Sequence, residues 1–227
     1  MAKKKQVSGT GIEGVEGALT RTEQFIEDHQ KWIIRIITGI LVLVVVFIGT
    51  KRFYLHPLDD EAHAQMFVAE HYFEIDSFNL ALYGDGNYSG FLQIIDDYGI
   101  TKAANLCYYY AGISFLKLGQ FEDAIDYLQH FKSKDKMVAP IATGAIGDAY
   151  VELGEMDKGL NHYLKAASLS DNNFTSPMFL MKAGLVYENL GDFKKAMAVY
   201  ERIRKDFPDY SRQHNIEKYI TRTRISS

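Results

Sequence analysis

Residues 183–208 read AGLVYENLGDFKKAMAVYERIRKDFP, and the order of small, large and turn-forming residues along them decides the fold. Ala183, Gly184 and Tyr187 precede a Gly191-Asp-Phe193 signal, Ala196 and Tyr200 follow at helical spacing, and Pro208 closes the stretch. Gly184 on a first helix and Ala196 on a second let two backbones approach closely, while the large residues fill the space between them. Gly191 stands where the first helix must end, in a left-handed conformation that would strain any side chain. The predicted unit is a helical hairpin.

The same register recurs upstream. Tyr108, Gly112, Phe115, Gly119, Phe121, Ala124 and Leu128 form one copy, and Gly147, Tyr150, Gly154, Met156, Gly159, Tyr163 and Ala166 another. With Gly86-Asn-Tyr88, the turn signals at Gly86, Gly119, Gly154 and Gly191 are spaced by 33, 35 and 37 residues. Such a period marks hairpins that cannot bury their apolar faces alone and must stack. The register resembles that of tetratricopeptide repeats, which implies an all-α solenoid with three units over residues 103–208. Residues 56–102 read as a degenerate first hairpin, with a long helix to about Phe78 and a second over residues 88–98. Residues 209–227 read as a C-terminal capping helix, with Ile216, Tyr219, Ile220 and Ile225 at helical spacing.

Upstream of the repeats, residues 36–49 (IITGILVLVVVFIG) contain no charge. Extending the stretch to residues 32–55 gives a signal-anchor helix in which Trp32, Ile36, Leu41, Val45 and Phe47 face lipid, and Arg52 marks the exit. A core helix would be amphipathic. A cleaved signal peptide would not follow some 35 polar residues or lack a small-x-small cleavage site. Residues 1–31 then form a cytoplasmic segment with a helical stem, and the Thr20–Glu23 capping-box spacing predicts that the stem starts there. Lys3, Lys4, Lys5, Arg21, Lys31 and Arg35 precede the uncharged stretch, against Lys51 and Arg52 after it. The N-terminus is therefore expected in the cytoplasm and the repeats outside, in the periplasm of a two-membrane bacterium.

Composition excludes several functions. The chain has 227 residues, 25 Lys and Arg against 29 Asp and Glu, and no basic segment of the kind that binds nucleic acid. A single cysteine, Cys107, rules out an internal disulfide framework and a cysteine-based zinc site. The seven histidines hold no metal-ligand spacing, and no nucleophile elbow or phosphate loop occurs. No enzymatic activity and no cofactor are expected. One stretch, Asp85 to Asp96, satisfies calcium-loop spacing, although Gly86-Asn-Tyr88 already accounts for it as a repeat turn.

Function is therefore expected in a surface. In tetratricopeptide repeats the concave groove is lined by positions two, five, nine, twelve and thirteen of each first helix. The resemblance carries these to Leu106, Tyr109, Ile113, Leu116 and Lys117, then Ile141, Gly144, Asp148, Val151 and Glu152, then Met178, Met181, Leu185, Glu188 and Asn189. The row is largely apolar and bears two methionines, which suits adaptable binding of unfolded or helical segments. The lysine and asparagine of a carboxylate clamp are replaced by Tyr109 and Ile113. The alternative is a groove filled by the chain's own cap helix or by a homodimer mate.

A short cytoplasmic segment, one anchor span and an external repeat array resemble the YfgM-type ancillary subunits of the bacterial Sec translocon. The likeness includes the stem from Gln24 to Arg35 and the aromatic exit at Arg52, Phe53 and Tyr54. It implies an inner-membrane adaptor that meets emerging secretory proteins and periplasmic folding factors beside the channel. The alternative is a structural scaffold of another envelope assembly, in division, outer-membrane assembly or secretion.

Overall fold

The computed structural model describes the backbone of residues 12–226 and the side chains of residues 29–226. The chain divides into two compact units, Met1–His56 and Pro57–Ser227. The basic flank at Lys3, Lys4 and Lys5 lies outside the described residues.

Among the described residues the first unit is one helix, α1 (Ile12–Thr50), followed by a π-helical turn at Lys51–Leu55. The chain is already helical at Ile12, so Thr20 lies inside the helix rather than at its start. No proline interrupts residues 12–19, and extending a helix costs far less than nucleating one. From Trp32 to Thr50 the rise is about 28 Å. Ile37, Leu41, Val45 and Phe47 are all exposed, so this helix carries exposed apolar side chains on every face. It is long and apolar enough to cross a membrane. Thr50 at its end donates its hydroxyl to the Val46 carbonyl at 2.9 Å, which satisfies the polar group within the helix.

The second unit is all helix, with no strand among the described residues: α2 (His56–Glu74), α3 (Phe78–Tyr83), α4 (Phe91–Tyr98), α5 (Lys102–Lys117), α6 (Phe121–His130), α7 (Val138–Glu152), α8 (Met156–Leu169), α9 (Thr175–Asn189), α10 (Phe193–Asp206), α11 (Pro208–Gln213) and α12 (Ile216–Ser226). Three hairpins, α5/α6, α7/α8 and α9/α10, stack in order, because α6 packs on α7 and α8 on α9. The fold is the expected helical-repeat solenoid.

Glycines at two kinds of position make it possible. Gly119, Gly154 and Gly191 have φ of 76°, 79° and 76° and end each first helix. The following residue closes the end with a backbone bond back into the helix: Gln120 N–H to Phe115 at 2.9 Å, Glu155 to Tyr150 at 2.8 Å, and Asp192 to Tyr187 at 2.9 Å. Gly112, Gly147 and Gly184 instead make room inside each hairpin. A Cβ on Gly112 would lie 2.5 Å from Leu128 Cγ, and one on Gly147 would lie 2.8 Å from Tyr163 Cδ1. On Gly184 it would lie 2.6 Å from Tyr200 Cζ.

The segment before the repeats departs from the expected hairpin. Its first helix stops at Glu74 rather than near Phe78, because Asp76 takes a left-handed φ of 57° and Ser77 N–H bonds back to Tyr72 at 2.8 Å. A short helix, α3, intervenes. Its last helix starts at Phe91, not Tyr88. Gly84 and Gly90 pinch together, with no space for a Cβ on either, and Asp85 Oδ1 accepts from the backbone of Asn87 and Tyr88 at 2.9 and 2.8 Å. An aromatic group holds this region together, with Phe73 edge-on to Phe78, Phe91 and Tyr110, and Phe91 stacked on Tyr110 at 5.1 Å. Asp59 of α2 caps α5, accepting from Lys102 and Ala103 N–H at 2.9 and 3.0 Å. The C-terminal cap is two helices rather than one, broken where Asn215 adopts φ of 50°.

His162 on α8 is half-buried beside Tyr150, at 5.4 Å between ring centroids, and its buried Nδ1 has no hydrogen-bond partner. Burial, with the Lys165 charge nearby, holds its pKa below the ordinary 6.5.

Two outcomes follow. Gly184→Ala is expected to cost about 1–3 kcal/mol by overpacking against Tyr200, read as a lower urea midpoint at unchanged helicity. A wild-type midpoint would show that the close approach is not a constraint. The unfolded chain protonates His162 more readily than the folded protein, so stability is complete above about pH 6.5 and falls as pH drops below it. His162→Phe should therefore shrink the difference in urea midpoint between about pH 7.5 and about pH 5.5.

Candidate partner-binding groove

The groove positions lie on the three first helices α5, α7 and α9, which run side by side. Leu106, Tyr109, Ile113 and Leu116 on α5, Ile141 and Val151 on α7, and Met178 and Met181 on α9 are all partly exposed, and Leu185 is 42% exposed. Each therefore keeps apolar surface open after the stack has formed. Gly144 is the exception. It is buried, because the Phe179 ring of α9 occupies the space where its Cβ would be. Tyr109 leans on Phe131 at 5.3 Å and on Tyr110 at 5.6 Å, and burial raises its hydroxyl pKa.

Toward the C-terminal ends of these helices lies a cleft of about 520 Å³ that includes Leu116, Val151, Asp148, Tyr163 and Lys182. Asp148 on α7 receives Lys182 Nζ of α9 at 2.6 and 2.8 Å on its two oxygens, and Tyr163 of α8 donates its hydroxyl at 2.6 Å. Lys182 Nζ also stands 5.6 Å from the Tyr163 ring centre and 5.8 Å from that of Phe179. Burial, then the Asp148 carboxylate, pushes the Tyr163 hydroxyl far above its ordinary pKa, so it remains a donor.

A like network recurs one repeat on, with its acid, Glu188, one turn further along its first helix than Asp148. Tyr200 donates to Glu188 Oε1 at 2.6 Å and Arg222 Nη2 donates to the same oxygen at 2.7 Å, with the guanidinium 4.9 Å over Tyr219. Asp148 and Lys182 are 34 residues apart, and so are Glu188 and Arg222. The acid and the base thus come from successive first-helix positions, and α12 stands where a further first helix would. It packs on α10 and α11 and reaches α9 through Arg222, closing the end of the stack while the α5 and α7 positions stay partly exposed. These two networks were not anticipated from the residues. Opposite charges one repeat period apart are the signal that could have found them.

The remaining candidates lie elsewhere. Trp32, Ile36, Leu41, Val45, Phe47 and Arg52 are exposed in the first unit or its turn. Asp85 Oδ1 is engaged by its own loop and Tyr72 donates to its other oxygen at 2.9 Å, while Asp96 sits on α4. Among the described residues no group of three or more His, Cys, Asp or Glu is placed to hold a metal ion. Cys107 is buried, and burial with the Glu70 charge pushes its thiol up to about 12, which suppresses the nucleophilic thiolate. His63 and His71 are exposed on α2.

Comparison with known proteins agrees with this geometry. Residues 106–135, 144–173 and 179–210 match models of the tetratricopeptide repeat. The chain is similar to the TPR repeat-containing protein MJ1428 of Methanocaldococcus jannaschii, with 28% identity over 146 residues, or 63% of this chain. That match spans 25% of the archaeal protein's length. Among solved structures, a Podosopora anserina protein with nearly identical TPR-like repeats superposes with a TM-score of 0.52 at 9% identity, covering 74% of this chain and 95% of that one. At this identity the likeness concerns the fold alone.

The Asp148 network yields an expected coupling. Lys182→Met should cost about 0.5–1 kcal/mol and Tyr163→Phe about 1 kcal/mol. The double variant should fall short of their sum, because both partners act through one carboxylate. Chemical denaturation of the four proteins measures this, and strict additivity would mean that the two contacts are independent.

Proposed function

We propose that this chain, a carrier of tetratricopeptide repeats, is an adaptor anchored by one membrane-spanning helix beside the bacterial Sec translocon. The observation that carries this reading is the partly exposed apolar row on α5, α7 and α9, from Leu106 to Leu185, in a chain that also has an apolar helix exposed on every face. A helical-repeat array of this kind is a protein-interaction scaffold, so the row is its binding surface. Methionines 178 and 181 with Leu106, Ile113 and Leu116 give soft contacts that re-pack around varied segments rather than one fixed shape. The partners are protein: translocon subunits at the span, and secretory chains and periplasmic folding factors at the groove. The anchor supplies what weak contacts lack. A groove tethered within a few nanometres of a channel exit meets clients at high effective concentration, so micromolar affinity suffices. The reading places the N-terminus in the cytoplasm and the repeats in the periplasm, in keeping with six basic residues before the uncharged stretch and two just after it.

The test is site-specific photocrosslinking in cells, with one reactive residue at Ile40 and another at Met181, and mass spectrometry of the adducts. Channel subunits from Ile40 and many secretory chains from Met181 are expected. Tyr109→Asp with Met181→Asp should reduce client adducts at a third groove site, Leu106, by about tenfold or more while the array stays folded by circular dichroism, with a lower melting temperature because Tyr109 also packs on Phe131. One folded envelope protein captured from both sites would identify a structural scaffold instead. Dissociation of a dimer by the groove variant would make the row an assembly surface.

A further inference from the structure

A second cavity, of about 470 Å³, lies away from the groove, between α6, α7 and α8. Its floor is apolar, made by Leu128 at the end of α6, Ala142 and Ile146 on α7, and Leu169 at the end of α8. Its rim carries Lys132, Lys134 and Lys165, and no carboxylate lines it. All three lysines are exposed, and none forms an ion pair among the described residues. The rim gathers three cations in a stretch of chain where, from Phe53 onward, acidic residues outnumber basic ones by 24 to 17. Lys182, Lys158 and Lys195 each have a carboxylate partner.

The loop that carries two of these lysines is held in place. Asn105 of α5 brackets Lys132 from both sides of its peptide, accepting from Lys132 N–H at 3.0 Å and donating to the Lys132 carbonyl at 2.9 Å. Asn172 of the next loop donates to the Lys136 carbonyl at 3.1 Å. The one acid in the loop, Asp135, turns Oδ1 to its own backbone, accepting from Met137 and Val138 N–H at 2.7 and 2.9 Å, and these bonds hold its pKa below the ordinary value. It caps α7 instead of pairing with the lysines. The rim is therefore positively charged, carried in part on a loop whose backbone is held in place, and set over a pocket of the size that takes one or two large side chains.

From this combination of an apolar floor and an unpaired lysine rim, we propose that the cavity between α6, α7 and α8 binds a short acidic peptide segment of a partner protein. The segment would insert a leucine or phenylalanine side chain onto Leu128, Ile146 and Leu169 and place flanking carboxylates on Lys132, Lys134 and Lys165. An apolar anchor fixes position, and the carboxylates supply register and encounter rate. The site is separate from the groove, so the protein holds two partners at once.

The test titrates the full chain, in dodecyl maltoside, into a fluorescein-labelled octapeptide, Gly-Asp-Leu-Phe-Asp-Leu-Asp-Gly, and reads anisotropy. Saturable binding that weakens from about 50 to about 500 mM NaCl is expected. Lys132→Glu with Lys165→Glu should weaken it by about tenfold or more without changing the melting temperature, because both side chains are exposed. A peptide with asparagine for aspartate, and one with serine for leucine and phenylalanine, should each lose a similar factor. Met181→Asp should leave binding unchanged, which separates this site from the groove. Absence of saturation at millimolar protein would overturn the proposal, as would equal binding of the asparagine peptide. Loss through Met181→Asp but not through the lysine variants would assign the peptide to the groove. Displacement by mixed micelles of dodecyl maltoside with phosphatidylglycerol but not with phosphatidylcholine, together with full binding of the serine peptide, would make the lysines a surface for anionic lipid instead.

Discussion

Everything in the second unit depends on how closely the two helices of each hairpin approach. At Gly112, Gly147 and Gly184 the first helix has no side chain, and Leu128, Tyr163 and Tyr200 of the second helix lie in the space thus left. Dispersion and area burial at such a contact fall off steeply with separation, so a single methyl group is felt. Because the glycine recurs in each unit, the two helices of each hairpin approach in the same way, and units built alike stack in only a few ways. The groove is a result of that stacking. Its residues are those left over on the first helices when the faces toward the second helices and the neighbouring hairpins are covered.

Polar contacts then fix the register between units. Tyr163 and Tyr200 use their rings for packing and their hydroxyls to engage Asp148 and Glu188, which in turn receive Lys182 and Arg222 from the next first-helix position. Each carboxylate is only partly exposed and is met by more than one donor, so none is left unsatisfied by the stack. In the first repeat the equivalent place is filled by Leu128, so that contact is apolar throughout. The two networks lie at the C-terminal side of the array, where α12 takes the place of another repeat. Its Arg222 completes the second network as Lys182 completes the first.

The N-terminal side of the array ends differently. No repeat glycine stands opposite a large residue there; Phe73, Phe91 and Tyr110 form an aromatic group, and Asp59 reaches over to cap α5. The pinched loop from Gly84 to Gly90 and the left-handed Asp76 give this segment its own turns. An array must blunt its terminal units to avoid exposing a sticky face, and here one end does so by local aromatic packing and the other by a polar, basic helix pair.

The sequence alone determined the three hairpins, because a glycine that must be left-handed and a glycine that must admit a ring are constraints on single residues, and they repeat. Gly119, Gly154 and Gly191 fall where the turns are, and the apolar stretch around Leu41 and Val45 stands apart by charge alone. Helix ends without such a marker were not legible. The break at Asp76, the start of α4 at Phe91, and the split at Asn215 depend on backbone hydrogen bonds and on left-handed residues other than glycine, which many sequences tolerate without declaring them. The row from Leu106 to Leu185 could be read from register, but the burial of Gly144 could not, since it depends on which neighbour, Phe179, the stacking brings over it. The tertiary structure alone decided the pairing of Asp148 with Lys182, of Glu188 with Arg222, and the gathering of Lys132, Lys134 and Lys165 around one cavity. Contacts between residues some 34 positions apart are set by how the units stack, and stacking is a property of surfaces in three dimensions rather than of any local stretch of chain.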